Sequence, residues 1–256
     1  MADGPPRLGW PAGHVPLERA LSKLGLASRT QARAWIGEGR VTVGGAVVRD
    51  PDLPVVPERI QVQIDQAPVA QNTPILLAYN KPRGLLVTRD DPQGRPTIYS
   101  ELGAKADGVQ AVGRLDQATS GLLLLTNDTQ LANRLLDPRS QVRRRYLVEV
   151  KGLVSPELPA RLVQGVVDDG ERLAADAVEI KKVSRRESQL LLDLSEGKNR
   201  EVRRLLAACG HPVQRLLRIA YGPIGLGTLQ PGQVRVEDIE AVRRWLSLPP
   251  ASRPSA

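Results

Sequence analysis

The sequence contains one cysteine, one methionine, two histidines and no phenylalanine in 256 residues. A single thiol, Cys209, excludes an intramolecular disulfide and suits a reducing compartment. His14 and His211 offer no paired ligand spacing, so no metal site is expected. His211 follows Gly210 and precedes Pro212, a turn pattern. Three Trp and four Tyr are too few for a platform that stacks many bases. No apolar run approaches the ~20 residues of a membrane span. The opening MADGPPRLGWPAGHVP lacks the apolar core of an export signal, so a cytoplasmic location and no membrane partner are expected. There is no GxxxxGK phosphate loop and no dinucleotide fingerprint. A two-metal nuclease needs several converging carboxylates, and the best pairs, Asp90-Asp91 and Asp168-Asp169, read as loop residues. What remains open is chemistry that a carboxylate performs without metal or cofactor.

Positive charge is abundant. The net charge is +8 and the pI near 10.0. A polyanion is the natural partner of such a chain, although a solvated basic surface has the same bulk value. Distribution separates the two. Lys198 to Arg218 holds six basic residues and one acidic; Asn133 to Arg145 holds five and one. Clustering of this kind favours a nucleic-acid surface.

Residues 1–15 are rich in Pro and Gly and read as a disordered tail. Residues 16–64 form a small unit. Leu17, Ala20, Leu21 and Leu24 share a helical face, with Gly25 as the stop. Ser28, with Gln31 three residues on, forms a capping box for a second helix that buries Ala32, Trp35 and Ile36. VTVGGAVV turns at Gly44-Gly45 as a hairpin, and Ile60, Val62 and Ile64 supply a closing strand. Arg19 and Lys23 are four apart on the first helix, as are Arg29 and Arg33 on the second; Arg40 follows. By periodicity alone these are two ordinary amphipathic helices. QAPVAQNTP, within residues 65–74, reads as a linker. Residues 75–248 form the larger domain, and 249–256 a loose tail.

The most informative stretch is Gly113 to Asn127, GRLDQATSGLLLLTN. Four consecutive leucines bounded by turn residues suit a strand buried on both faces. Asp116 precedes it in a loop, where a carboxylate is either a catalyst on a rigid support or a turn former. ILLAYN reads as a strand ended by Lys81-Pro82, and RGLLVT as a second short one. RDDPQGRPT reads as a loop. Asn127 or Asp128 caps a helix that runs to Leu136, with Leu131, Leu135 and Leu136 inward. RRRYLVEVKG is a strand with Tyr146, Val148 and Val150 on one face. Ser155-Pro156 starts a further helix, and AVEIKKV and QLLLDLS are strands. KNREVRRLLAACG is a helix burying Val202, Leu205, Leu206 and Cys209, and Arg203 and Arg204 flank that stripe. VQRLLRIAYG is a strand and VEDIEAVRRWLSL a last helix.

LERALSKLGLASRTQARAWIGEGRVTVGG resembles the small αL-type RNA-binding domain named after a ribosomal small-subunit protein. Its basic residues Arg19, Lys23, Arg29, Arg33 and Arg40 become RNA-contact candidates through that resemblance. Gly44 stands where family members usually carry Asn. YNKP, GRLDQATSGLLLLTND, RRRYLVEVKG and EGKNREVRRLLAACGHPVQRLLRIAYGPIGLGTL together resemble the ribosomal-RNA pseudouridine synthases of the RsuA and RluB type, over about residues 16–246. The resemblance implies an α+β protein, a small α/β RNA-binding domain followed by a catalytic domain on a mainly antiparallel mixed sheet. It implies an isomerase that detaches uracil from ribose, rotates it and rejoins it through carbon, with no cofactor.

Within that resemblance Asp116 is the nucleophile, or the group that starts glycosidic cleavage. Tyr146 matches the active-site tyrosine, whose ring stacks on an extruded uracil; by pattern alone it is an ordinary strand aromatic. Arg203 matches the basic residue expected to pair with the carboxylate. Arg114 matches a phosphate contact or a wedge for the emptied base stack. Lys81, Asn199, Arg200, Arg204 and Arg218 are further RNA-contact candidates, each with a solvated surface charge as the alternative. Glu201 stands where Gln is common and is expected to weaken local attraction for phosphate. Ala118 stands where a polar residue is frequent. The expected partner is ribosomal RNA or an assembly intermediate, met by a monomer. YNKPRGLLVT and DPQGRPTIYSEL lie closer to large-subunit enzymes. The alternatives are a small-subunit rRNA target, or a non-catalytic rRNA-binding or ribosome-assembly protein on the same scaffold.

Overall fold

The computed structural model describes residues 10–251 apart from 12, 25, 28 and 69–72. The chain forms two compact units. One is drawn from the chain up to Ile75, Thr126–Arg134 and the chain from Ile239 on; the other is Leu76–Leu125 with Leu135–Asp238. Among the described residues no helix is long and apolar enough to cross a membrane.

In the first unit β1 (Val15–Pro16), α1 (Leu17–Lys23), α2 (Arg29–Gly37), β2 (Val41–Val43), β3 (Ala46–Val47), β4 (Pro54–Val55), β5 (Val62–Ile64) and β6 (Ala67–Pro68) follow in order. Leu17, Ala20, Leu21, Ala32 and Ile36 are fully buried with Val41, as the helical spacing requires. Leu24 lies past the end of α1 and is only half-buried. Gly44 and Gly45 have φ of +59° and +85°, the paired left-handed conformation that joins β2 to β3. The Gly25 stop and the Ser28 cap fall outside the described residues.

The linker expectation meets a strand. Asp65 and Gln66 take φ of +54° and +64°, a two-residue turn that returns β6 onto β5. Neither residue is glycine, and Asp and Gln are weak signals for this turn, which is why sequence suggested a linker. Thr126–Arg134 and the last helix group with this unit through polar bonds. The Thr129 hydroxyl donates to Lys23 O at 2.5 Å. Buried Arg243 pairs with Asp128 and donates to Gln130 Oε1 at 2.7 Å and Pro249 O at 2.6 Å.

The second unit is built on a mixed sheet. Its elements are β7 (Leu76–Lys81), α3 (Ile98–Leu102), β8 (Gln110–Ala111), β9 (Ser120–Thr126), α4 (Thr129–Leu136, shared with the first unit), β10 (Arg144–Lys151), α5 (Leu158–Gln164), β11 (Val166–Asp168), β12 (Glu171–Leu173), β13 (Ala177–Lys182), β14 (Glu187–Leu194), α6 (Glu201–Ala208), β15 (Val213–Tyr221), β16 (Ile224–Gly225) and β17 (Val234–Val236). Helix α7 (Ile239–Trp245) closes the described chain. The strand order is β13-β14-β10-β15-β9-β7-β17. Pairing is antiparallel at β13–β14, β14–β10, β10–β15 and β7–β17, and parallel at β15–β9. Leu122 to Leu125 are fully buried, so the leucine run is a strand covered on both faces. Val148, Val150, Leu190, Leu192, Leu205 and Leu206 form the main core between sheet and helices.

Four local expectations change. RGLLVT forms no strand; Leu86 makes only an isolated bridge to Thr97. Thr97 instead caps α3, exchanging bonds with Ser100 in a capping box. Leu136 is 37% exposed rather than inward. Helix α5 starts at Leu158, after a turn in which Leu158 N donates to Ser155 O at 3.1 Å. The segment before α7 forms β17, whose edge pairing with β7 adds backbone bonds that no local pattern announces.

Gly121 explains why the leucine run begins as it does. It has φ of +105° and pairs with Arg218 of β15, whose backbone lies where a Cβ would stand. Gly121→Ala therefore forces β9 and β15 apart. Urea unfolding should show a loss of about 3 kcal/mol or more, from strain and a broken contact together.

Candidate active site

Asp116 is carried by the loop between β8 and β9. The loop closes on itself through Thr119 N, which donates to Asp116 O at 3.0 Å. It is bound to the segment after β7 by reciprocal bonds: Gly84 N to Gln117 O at 2.8 Å and Gln117 Nε2 to Gly84 O at 3.1 Å. Beneath it sits Lys81, fully buried. Its ammonium donates to Thr119 O at 2.9 Å, Pro82 O at 3.0 Å and Asp116 O at 3.3 Å. Burial lowers its pKa to about 8, partly offset by the Asp116 carboxylate. Lys81 is thus a support for the loop, not an RNA contact; three carbonyls enclose it.

The Asp116 carboxylate is one-third exposed and faces helix α6. Arg200 Nη1 lies 3.3 Å from its Oδ2, and Arg203 Nε 3.9 Å. The expected Arg203 pair is therefore the longer of two. Arg203 is mostly spent on other oxygens, donating to the loop's Ala118 O at 3.1 Å and Thr119 Oγ1 at 3.3 Å and to Val213 O at 3.3 Å. Desolvation, then the Arg200 charge, lowers its pKa, and Asp116 opposes the shift. Arg200 sits just before α6 with φ of +49°, an uncommon conformation for a residue other than glycine, and this turn aims it at Asp116.

Asp116, Arg114, Tyr146, Arg200, Arg203 and Arg218 all line one cavity of about 230 Å³. Tyr146, 9% exposed, stands on β10 directly opposite Arg218 on β15. Arg114 is exposed at the rim. Arg218 is corrected from surface contact to pocket wall: it is 3% exposed and donates from Nε to Leu122 O at 2.6 Å. Arg204 points elsewhere. Its guanidinium binds Asp168 at 2.6 Å and Glu171 at 2.7 Å, so it ties the β11–β12 hairpin to α6 and has no charge left over for phosphate. Asn199 is exposed and outside the cavity lining.

Glu201 departs from its expectation. It is a 4%-exposed wall residue, with Oε2 accepting from Lys198 N at 3.0 Å and Oε1 enclosed without a partner. Burial pushes its pKa up, opposed by the bond and charge of Lys198, and its enclosure in the wall keeps it from the surface where phosphate would pass. Sequence reasoning also missed Arg144 and Tyr221, both buried in the cavity wall. The triplet Arg143-Arg144-Arg145 looks like surface charge. Its alternation with Tyr146 and Val148 was the available sign that Arg144 faces inward.

In the first unit Arg33 pairs with Glu18 at 2.6 Å. Arg40 pairs with Asp65 at 2.6 Å and lies 5.3 Å from the Trp35 ring. Arg33 is exposed and Arg40 half-buried, and both are held by neighbours. Arg29 is exposed and close enough to Arg19 that its charge helps lower the Arg19 pKa, after desolvation. Lys23 O accepts the Thr129 bond described above.

Residues 75–208 match the family model described as RNA pseudouridylate synthase. The chain belongs to that family. Residues 15–60 match the S4 domain model. An uncharacterised RNA pseudouridine synthase of Mycobacterium bovis is 41% identical over 226 residues, covering 86% of this chain and 89% of the relative. Ribosomal large subunit pseudouridine synthase B of Pseudomonas aeruginosa is 38% identical over 254 residues, covering 94% of this chain and 66% of the relative. The Bacillus subtilis protein of the same name is 32% identical over 234 residues, covering 91% and 96%. A crystal structure of a pseudouridylate synthase superposes with a TM-score of 0.62 at 26% identity, covering 90% of this chain and 98% of the other. The RNA pseudouridylate synthase family assigns an isomerase activity on RNA, and the S4 unit an RNA-binding function.

Lys81 gives this synthase a testable pH dependence. Its pKa, about 8 when folded, lies below the ordinary 10.5, so the unfolded chain binds more protons between these values. Stability contributed by this group therefore rises as pH rises from about 8 to 10.5. Lys81→Met should remove that slope from urea unfolding. It should also cost about 2 kcal/mol at pH 7, because three buried carbonyls lose their donor.

Proposed function

We propose that this chain converts a uridine of large-subunit ribosomal RNA to pseudouridine, using Asp116 on a nucleotide extruded into the cavity. The observation that carries the reading is the Asp116 carboxylate, ionically held by Arg200 and Arg203 at the edge of a cavity walled by Tyr146. An extruded uridine placed there has its ribose C1′ and its base within reach of one carboxylate. Arg200 and Arg203 orient that carboxylate from the α6 side. Asp116 begins the reaction as nucleophile or by taking a ribose proton.

Tyr146 packs its ring against the uracil, and its phenol assists removal of the C5 proton once the carbon–carbon bond exists. Arg114, exposed at the rim, contacts phosphate or occupies the vacated stack. Large-subunit rRNA is favoured because relatives from Pseudomonas aeruginosa, Yersinia pestis and Bacillus subtilis carry that target in their names. The S4 unit holds flanking RNA, and the side that carries exposed Arg29 beside half-buried Arg19 is its phosphate face.

Tritium release from rRNA labelled at uridine C5 tests the reaction. Wild type should release label from large-subunit fragments and not from small-subunit ones. Asp116→Ala should slow release by roughly 10⁴-fold or more. Full release by that variant would remove Asp116 from the chemistry, and no release by wild type on any rRNA would remove the isomerase reading. Arg29→Ala should weaken RNA binding and lower the slope of log affinity against log salt by about 1. Arg33→Ala should change that slope less, since Glu18 already neutralises it. Equal effects would mean that the Glu18 pair opens on RNA.

A further inference from the structure

Resting on the isomerase reading, we propose that Arg144 and Arg218, packed against Tyr221, form an anion subsite that receives the negative charge of the uracil ring as it parts from the ribose. The two guanidinium carbons lie 4.9 Å and 5.0 Å from the Tyr221 ring centroid. Both side chains are under one-tenth exposed and both line the cavity. Arg144 donates only to neutral oxygens: Ser195 O at 2.7 Å, Tyr221 Oη at 3.1 Å, and Leu135 O and Glu196 O at 3.2 Å. Arg218 donates from Nε to Leu122 O at 2.6 Å, and its Nη2 is enclosed without a hydrogen-bond partner.

Neither guanidinium makes an ion pair among the described residues, unlike their neighbour Arg145, which pairs with Asp193 at 2.7 Å. A buried cation without a counterion is costly, and two against one ring more so. The positive potential they create is the kind that a preorganised site keeps for charge that appears only during reaction.

The backbone is built to place them. On β10 and β15, Arg144 opposes Tyr221 and Tyr146 opposes Arg218. One extra residue on β15, Ile219, is accommodated by a register shift there. This bulge brings Arg218 and Tyr221, three apart, to the same face as Arg144 and Tyr146. Regular alternation would have turned one of them away.

Charge bookkeeping names the ligand. If Asp116 attacks C1′, the C1′–N1 electron pair leaves with uracil, the carboxylate becomes a neutral ester and the ring becomes an anion. If Asp116 takes the C2′ proton, it becomes a neutral acid, the C2′–H electrons form a double bond to C1′, and the ring again leaves as an anion. If it adds to the ring at C6, the charge moves onto C5 and O4. Every route transfers one negative charge from Asp116 to uracil, carried toward O4 in all three and shared with O2 when the free ring leaves, until C5 bonds to C1′; loss of the C5 proton then restores the aromatic ring. Phosphate is the poorer occupant, because these two arginines are the enclosed ones while Arg114 and Arg200 are exposed.

The test compares uridine with 5-fluorouridine at the target position of one RNA, following loss of the starting nucleoside in nuclease digests under single turnover. Fluorine stabilises the ring anion, so the reaction needs less help from the protein. Arg218→Gln should slow uridine consumption about 10²- to 10³-fold, with RNA affinity within about twofold, and slow 5-fluorouridine at least about tenfold less. Arg218→Lys should recover part of the loss. Equal slowing on both substrates would make Arg218 purely structural, and lost affinity with the rate retained would make it a phosphate contact; either overturns the proposal. Arg144→Gln carries the same comparison. A measurement on wild type stands if neither variant folds: 5-nitrouracil, anionic near neutral pH, should inhibit at least about tenfold more strongly than uracil at pH 8. Equal inhibition would overturn the subsite. Wild type inert toward both RNAs would instead defeat the isomerase reading.

Discussion

The Lys81 ammonium sits with no exposed surface and donates to the carbonyls of Pro82, Asp116 and Thr119. Those oxygens belong to two chain segments that have no regular secondary structure to hold them. A cation with three donors, buried where water cannot compete, fixes both at once. The remaining loop bonds, Thr119 to Asp116 and Gln117 to Gly84, then have defined partners. Arg203 completes the frame from α6 through Ala118 O and Thr119 Oγ1. The Asp116 carboxylate is left facing the cavity and its cations. This is how a loop acquires the rigidity that a reacting carboxylate needs.

The arginines illustrate how one residue type is divided among tasks by burial. Arg204 and Arg145 meet carboxylates and serve as fasteners within the unit. Arg203 meets backbone oxygens and, at longer range, Asp116. Among the described residues Arg144 and Arg218 meet neutral groups and no carboxylate pairs with either. Arg114 is exposed at the cavity. The basic runs that marked this chain as a nucleic-acid binder are therefore only partly a binding surface. A good share of the positive charge works inside the catalytic unit, where low dielectric makes each charge count for more.

Large parts of this were readable from residue order. The leucine run, the Gly44-Gly45 hairpin, the Tyr146 strand and the α6 stripe all follow from local periodicity, and the structure has them where the pattern puts them. Elements whose stability comes from distant partners were not readable. β17 exists because its edge pairs with β7, and α3 begins where Thr97 and Ser100 cap each other rather than where RGLLVT promised a strand. The Asp65-Gln66 turn lacked the glycine that usually announces it.

Sequence by itself determined the buried leucine strand, through its local pattern, and, through the resemblance its motifs carry, the family and the grouping of Asp116, Tyr146 and Arg203 as one constellation. Only the tertiary structure decided which cations do what. Whether Lys81 is a contact or a keystone, that Arg200 lies nearer Asp116 than Arg203 does, and that Arg218 lines the cavity depend on the depth of burial, a left-handed Arg200 and a bulge at Ile219. Those are set by packing between strands far apart in sequence, which a string of basic residues does not encode locally.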